Sequence, residues 1–217
     1  MPAECHVCGN ALNDEERFIC TPCLETMPRT GFHRIKNNPV EERFAGQFPF
    51  AAATGHFFYS RDSALARVIQ DMKYRWFPSI GEKLGKITGE ELYSAGFLND
   101  VSYVVPLPMY FWKKAKRGYN QVDYIARGIA QSCGAEVIDA LEMTRGRKTQ
   151  TSLDRKHRLD NAAGLFKVKT NIDLNSKGVL LVDDICTTGA TMGAAAKSLT
   201  DAFPGLRLYI LALAVAF

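Results

Sequence analysis

Residues 179–191 read Val-Leu-Leu-Val-Asp-Asp-Ile-Cys-Thr-Thr-Gly-Ala-Thr. Four apolar residues lead into two adjacent carboxylates, Asp183 and Asp184, and a small hydroxyl-rich turn follows, Thr187-Thr188-Gly189-Ala190-Thr191. A buried strand, a tight turn on a glycine and a helix start bring free backbone amides and the positive end of a helix dipole to one point. That is an anion site, and threonine hydroxyls add donors to it. Carboxylates beside such a site repel a phosphate unless they face sugar hydroxyls or act through a divalent cation. A phosphorylated sugar meets both conditions. Two other phosphate loops are excluded: no Gly-x-x-x-x-Gly-Lys-Ser/Thr occurs, and Gly189 and Gly193 do not complete Gly-x-Gly-x-x-Gly.

A second cluster lies at the front of the chain. Cys5, Cys8, Cys20 and Cys23 form two Cys-x-x-Cys pairs separated by eleven residues. Each pair presents two thiolates from one tight turn, and in a reducing compartment the set reads as a closed structural Zn²⁺ ribbon rather than a disulfide framework. His6 reads as a spacer between ligands. Cys133 falls on an apolar helix face and Cys186 beside the acids, and both read as packing residues.

The elements that must position these residues follow from periodicity. Val179–Val182 is a strand buried on both faces, ending at the acids, and the helix after the turn turns Met192, Ala195, Ala196, Leu199 and Phe203 inward. Upstream, Ala51–Tyr59 reads as a strand. A helix follows with Ala64, Leu65, Val68, Ile69 and Met72 on one face, capped by Ser60 or Asp62. A second helix covers Ile80–Tyr93, and Val101–Val105 is a strand stopped by Pro106 and Pro108. Lys113–Gly118 reads as a basic loop, and Val122, Ile125, Ala126, Ile129, Ala130 and Cys133 mark the clearest amphipathic helix. Glu136–Met143 reads as a strand, Arg145–Ala163 as a long charged loop, and Leu208–Ala216 as the last strand. Strands alternating with helices predict a doubly wound, mainly parallel α/β sheet flanked by helices, with ligands at the carboxyl ends of the strands. Residues 24–47, rich in Pro, Gly, Asn and charge, read as a linker or irregular arm. The expected organisation is a zinc ribbon plus arm over 1–45 and the α/β domain over 46–217.

At 217 residues the chain can bury a full α/β core, and 47% hydrophobic and 23% charged residues are ordinary for a globular protein. The start Met1-Pro2-Ala3-Glu4 shows no basic-then-apolar signal pattern and no apolar run reaches membrane-spanning length, so the expectation is a cytoplasmic protein without direct membrane insertion. The net charge of +4 conceals an asymmetry: residues 1–45 carry five Lys and Arg against seven Asp and Glu, which leaves +6 for the remainder. Two segments account for that excess, Lys113, Lys114, Lys116 and Arg117 in one, and Arg145, Arg147, Lys148, Arg155, Lys156 and Arg158 against Asp154 in the other. Either is a solvated face or a polyanion contact.

The 179–191 run resembles the phosphoribosyl pyrophosphate (PRPP) motif of type I phosphoribosyltransferases. That resemblance implies acids on the ribose hydroxyls and a 5′-phosphate held by Thr187, Thr188, Gly189, Ala190 and Thr191. Within that group the chain is similar to the ComF family of competence-associated proteins. The similarity rests on the four-cysteine N-terminus, Asp71-Met72-Lys73-Tyr74, Val104-Val105-Pro106-Leu107-Pro108, Arg117-Gly118-Tyr119-Asn120-Gln121, Thr149-Gln150-Thr151, Leu153, Arg158 and Asn161. Pro108 departs from the family, where many relatives carry histidine. The resemblance implies that Lys116, Arg117 and Asn120 cradle pyrophosphate and that Arg145–Asn161, with Arg145 and Arg158, forms a flap over the substrate. On position alone, Asn120 reads equally as a helix cap, Gln121 as a surface residue and Lys73 as a complement to a helix dipole.

Two functions stand open. One is an enzyme that transfers phosphoribose from PRPP, with Mg²⁺, to an unidentified nitrogenous acceptor and releases pyrophosphate, with Asp183 and Asp184 at the reacting sugar. The other, which the ComF resemblance favours, is a PRPP-binding protein of natural transformation. It would hold incoming single-stranded DNA beside a membrane-associated uptake helicase, with the basic segments on phosphates and Tyr110, Phe111, Trp112 and Tyr119 among them.

Overall fold

The computed structural model of the chain describes residues 3–14, 16, 18–74, 77–144 and 164–217. Helix α1 (Thr21–Glu25) closes the cysteine segment, and a 3₁₀ turn (Phe32–Arg34) and α2 (Pro39–Phe44) lead to β1 (Ala52–Phe58). Helices α3 (Ala64–Tyr74) and α4 (Pro78–Ser94) precede β2 (Val101–Pro106). Next come α5 (Phe111–Arg117), α6 (Gln121–Cys133), β3 (Glu136–Val137), β4 (Leu141–Met143) and β5 (Phe166–Val168). The chain closes with β6 (Gly178–Cys186), α7 (Ala190–Ala202) and β7 (Arg207–Val215). Among the described residues no helix is long and apolar enough to cross a membrane.

Five strands form one sheet in the order β1-β7-β6-β2-β3, and every pairing in it is parallel. The centre is β6 against β7, whose apolar runs are buried on both faces as a parallel sheet demands. Side chains alternate across the sheet. Leu180 and Val182 join one core with α3, α4 and α6, and Val179 and Leu181 join a second core with α2 and α7. The architecture is therefore the expected three-layer α/β fold with a small cysteine module at its N-terminus. From β2 the chain steps outward to β3 and then returns to β6 on the other side of β2. The winding direction reverses between β2 and β6, and the crevice beyond their carboxyl ends is where such sheets bind ligands.

Several expectations are corrected. Strand β6 does not stop at the acids but continues through them to Cys186, because β7 stays in register beside it, Asp183 opposite Ala212 and Cys186 opposite Val215. Lys113–Gly118 is not a loop. Its Lys, Arg and Ala residues are good helix formers, and α5 ends on Gly118 at φ +83°, with Lys114, Lys116 and Arg117 in its last turn at the negative dipole end. Glu136–Met143 is not one strand: β3 extends the main sheet from β2, while β4 turns away to pair antiparallel with β5, an element without a sequence signal. Helix α3 is capped by Ser63, whose Oγ accepts from the Ala66 amide, and not by Ser60 or Asp62.

Residues 24–47 carry regular structure. Around Arg29 the chain bridges antiparallel to Phe57, adding to the outer edge of β1, with Thr30 N–H donating to His56 O and Phe58 N–H to Pro28 O. Asn38 caps α2, accepting from the amides of Val40 and Glu41. Cys5, Ile19, Cys20 and Met27 are buried in the same core as Ile69, Met72 and Ile80. The segment Arg145–Ala163, including the flap residues, lies outside the described residues.

Helices α4 and α6 cross at backbone contact through glycines. A Cβ on Gly128 would lie 2.1 Å from Glu82 O and 2.5 Å from Lys86 N, and one on Gly85 would lie 2.2 Å from Ile125 O. These are backbone atoms that cannot rotate aside, so a methyl group would force the helices apart and shift the start of α6. Gly128→Ala gains about 1 kcal/mol of helix propensity but loses more to overpacking, about 1–3 kcal/mol for the strain and further loss from displaced contacts. The expected result in urea titration is a net loss of roughly 1–2 kcal/mol. A stabilised variant would show that the close crossing is not real.

Candidate functional site

The crevice at the end of β6 is built by two supports, one from each face of the sheet. From the side of α2, the loop 187–191 is shaped at Gly189, which takes φ +79° and caps α7 without any side-chain acceptor. A Cβ there would also stand 2.9 Å from the Phe44 ring, so both the backbone angle and the space call for glycine. The first helical bond is Gly193 N–H to Gly189 O at 2.7 Å. Amides before it in the first turn have no intrahelical acceptor; Ala190 N–H makes only a long contact of 3.4 Å to Thr188 Oγ1. Thr187, Thr188, Ala190 and Thr191 are exposed.

Asp183 shares with this loop a cavity of about 50 Å³, lined by residues 183 and 185–192. That is room for a few waters or one small oxyanion. The loop is braced by Arg43, whose guanidinium donates to the carbonyls of Cys186, Thr187 and Ala216 and stacks 4.6 Å from the Phe217 ring centroid. Nothing in the sequence marks Arg43, since its partners lie more than 140 residues away.

The second support holds the acids. Asp184 is 7% exposed, and its Oδ2 accepts from Lys73 Nζ at 2.5 Å and from Gln121 Nε2 at 2.8 Å. Gln121 is 5% exposed and its Oε1 accepts from Arg117 Nη1 at 2.6 Å. Lys73, Asp184, Gln121 and Arg117 thus form one chain of charge-assisted bonds. The surface reading of Gln121 is corrected, and Lys73 does more than complement a dipole. Both residues stand inside motifs that carry the ComF resemblance, the only sequence signal pointing to them. Tyr119 Oη donates to Met72 O, tying the turn before α6 to the end of α3.

The two acids therefore differ. Asp184 is occupied by the protein, whereas Asp183 is half-buried, anchored by the Asp184 amide on its Oδ1 at 2.8 Å, and open to the cavity. Desolvation, and next the charge of Asp184, push the Asp183 carboxyl well above the usual carboxylate range, with Lys73 opposing. A ligand that brings a cation or hydroxyl donors to Asp183 relieves both penalties. Of the other candidates, Asn120 caps α6, accepting from Val122 N–H, and its amide donates to Leu107 O and Asp123 Oδ1. Lys116 is exposed on α5. Arg145 and Arg158 lie outside the described residues.

The four cysteine Sγ atoms lie within 4.8 Å of one another, with Cys8 and Cys20 at 3.7 Å. A tetrahedron with metal–sulfur bonds of about 2.3 Å has edges of about 3.8 Å, so the set can hold a metal ion. Burial opposes the Cys5 thiolate, but the amides of Cys20, Cys8 and Val7 overcome it and bring its pKa to about 6. Desolvation and the neighbouring sulfurs push Cys23 up. Four such thiols cannot all ionise together without a cation among them.

Helix α5 borders the crevice and is unusually exposed for its composition. Phe111 and Trp112 are 72% and 58% exposed, Tyr110 stacks on Trp112 at 6.0 Å, and Lys113 Nζ sits 5.3 Å from the Trp112 centroid. Beneath it lies a cleft of about 410 Å³ lined by Pro106, Pro108, Phe111, Asn120, Asp123 and Glu142 among others.

No protein-family model matches the sequence. The chain is 36% identical over 98 residues to the competence protein ComFC of Streptococcus pneumoniae, covering 45% of this chain and 41% of that protein. It is 28% identical over 100 residues to competence protein F of Haemophilus influenzae, covering 44% and 43%. These matches span about two fifths of the length of either relative. A longer match, 22% identical over 204 residues, covers 90% of this chain and 83% of the DNA utilization protein YhgH of Escherichia coli. The resemblance to ComF proteins thus extends to named competence proteins at moderate identity. Similar solved structures include adenine phosphoribosyltransferase from Saccharomyces cerevisiae, with TM-score 0.39, 18% identity, and 64% and 70% of the two chains covered. Another is glutamine PRPP amidotransferase from B. subtilis, with TM-score 0.44, 15% identity, and 65% and 30% covered.

The Lys73–Asp184 pair yields a direct test. Removing one partner of a buried pair strands the other charge, at a cost of about 3–5 kcal/mol. Lys73 keeps some solvent contact, so Lys73→Met should cost about 3 kcal/mol in chemical denaturation, and Asp184→Asn in the same chain should recover part of it. Additive losses in the two variants would mean that the pair does not form.

Proposed function

We propose that the chain binds PRPP together with Mg²⁺ at the crevice between the carboxyl ends of β2 and β6, and that it serves the handling of incoming DNA in natural transformation. One observation carries the ligand reading: Asp183 opens into the same cavity as Thr187, Thr188, Gly189, Ala190 and Thr191, the turn that opens α7. A turn at a helix start suits a 5′-phosphate. Asp183 suits a ribose hydroxyl or a water of the cation shell, while Asp184 keeps Asp183 in place. When bound, Mg²⁺ would neutralise the pyrophosphate charge that the acids otherwise repel. Arg117, half-buried at the crevice rim, and Lys116 on α5 supply positive charge toward the pyrophosphate, and the segment with Arg145 and Arg158 is assigned to the flap.

The DNA role rests on the relatives named for competence and DNA utilization. It is supported by the exposed aromatic and basic residues of α5, a combination suited to stacking bases and meeting phosphates of a single strand. A membrane-associated uptake helicase is the partner this role calls for, in the cytoplasm where free thiols persist. The closed set Cys5, Cys8, Cys20 and Cys23 suits structural Zn²⁺. Residues 1–45 form the metal-bearing part and 46–217 the phosphosugar-binding domain, with the first built into the core of the second.

Calorimetry with PRPP and Mg²⁺ tests the ligand. Asp183→Asn should weaken binding about tenfold or more, the worth of one hydrogen bond to a charged group, while the fold persists. Unchanged affinity in this variant would remove Asp183 from the site. Release of pyrophosphate in the presence of a nitrogenous acceptor would assign turnover to the same site.

Salt dependence tests the strand. Each phosphate neutralised on single-stranded DNA contributes about −0.7 to the slope of log K against log salt, so Lys113→Ala with Lys114→Ala should flatten it by about 1.4 while sparing PRPP affinity. Trp112→Ala should weaken binding by about 1–3 kcal/mol if a base stacks on it. No binding at low salt, or an unaltered slope, would refute the role of α5.

A further inference from the structure

The last turn of α3 is bonded to three separate parts of the molecule through three consecutive residues. Asp71 Oδ2 accepts from the ring nitrogen Nδ1 of His6, in the cysteine knuckle, at 2.8 Å. Met72 O accepts from Tyr119 Oη, in the turn leading to α6. Lys73 Nζ donates to Asp184 Oδ2, at the crevice, at 2.5 Å. Residues two apart on a helix point about 200° apart, so Asp71 and Lys73 reach opposite ways from one rigid turn, one to the knuckle and one to the site.

The knuckle end of this joint is itself fixed by packing. The His6 ring meets the edges of Phe18 and Phe77 at 5.7 and 5.0 Å. Cys5, Ile19 and Cys20 are buried with Ile69, Met72 and Ile80 in one core. His6 stands between the ligands Cys5 and Cys8, so its position depends on how the four thiols are held. Small metal modules of this kind order on binding the ion. A change at the thiols is therefore a change in the seat of Asp71, and through it in the position of the ammonium that holds Asp184.

We infer that the cysteine cluster and the phosphosugar crevice are energetically coupled through Asp71 and Lys73, with Asp71 a positioning residue for the site. This rests on the proposed PRPP reading. Metal in the knuckle favours the arrangement of Lys73 and Asp184 that leaves Asp183 placed for the ligand. Coupling free energies are reciprocal, so the ligand must tighten the metal by the same factor that the metal tightens the ligand.

The test uses the full zinc-loaded chain. Zinc affinity is measured by competition with a chromophoric chelator, with and without PRPP and Mg²⁺, in the wild type, Asp71→Asn and His6→Phe. In the wild type, PRPP with Mg²⁺ should tighten zinc about 5- to 20-fold, at the low end of ordinary couplings. Both variants should still take up one zinc per chain, bind PRPP more weakly by a similar factor, and show no effect of PRPP on zinc affinity. A merely structural role for Asp71 would lower thermal stability and leave the wild-type linkage intact in both variants, which overturns the inference. Wild type that binds PRPP with no change in zinc affinity overturns it equally. Wild type that binds no PRPP overturns the proposed function and this coupling together, and the two failures are told apart by the PRPP titration itself.

Discussion

A carboxylate buried at the end of the central strand sets the terms for everything around it. Asp184 sits beside Asp183 on β6, nearly without water, and the two charges repel at close range. Such a pair is tolerable only where cations and donors are delivered to it from fixed positions. Lys73 comes from the end of α3 and Gln121 from the first turn of α6, and Gln121 is in turn held by Arg117 from the end of α5. The ends of α3 and α5 and the start of α6 must therefore meet at this acid in one arrangement. The glycine contact of α4 with α6 and the Tyr119 bond to Met72 are the devices that hold that arrangement.

The opposite face does a different task with different materials. There the loop 187–191 opens α7 without a side-chain cap on Gly189. Its shape is held from behind instead, by Arg43 on the carbonyls of Cys186, Thr187 and Ala216 and by Phe44 under Gly189. The two supports meet at the end of β6, where Asp183 and the loop line one cavity, the place proposed for the phosphosugar. Because α2 belongs to the stretch 24–47, a segment with the composition of a linker is part of the machinery of the site.

The N-terminal knuckle follows the same logic of shared support. Its buried residues add to the core under α3 rather than forming a core of their own, as expected of a module too small to bury much surface alone. Its ordering and that of the main domain are thus parts of one process. Helix α5 is the exception to this economy: it shows Phe111 and Trp112 to solvent beside a row of positive charges.

What the sequence by itself determined was local. The buried run 179–182, the threonine-glycine turn, the amphipathic pattern of α6 and the two Cys-x-x-Cys pairs are each contained within a few turns of chain, and periodicity and spacing disclosed them. So did the sheet class, since strands alternating with helices have few ways to fold. The extent of β6, the split of residues 136–143 between two sheets and the helix at 111–117 escaped it, because pairing partners and exposure decide them rather than residue type. The division of labour between Asp183 and Asp184 escaped it entirely. Adjacent acids look alike in a sequence, but successive residues on a strand face opposite sides of the sheet, and only the packed fold brings Lys73 and Gln121 to Asp184 and the loop 187–191 to the cavity of Asp183. The bonds of Arg43 and the pairing of His6 with Asp71 were decided in the same way, by proximity between residues far apart in the chain.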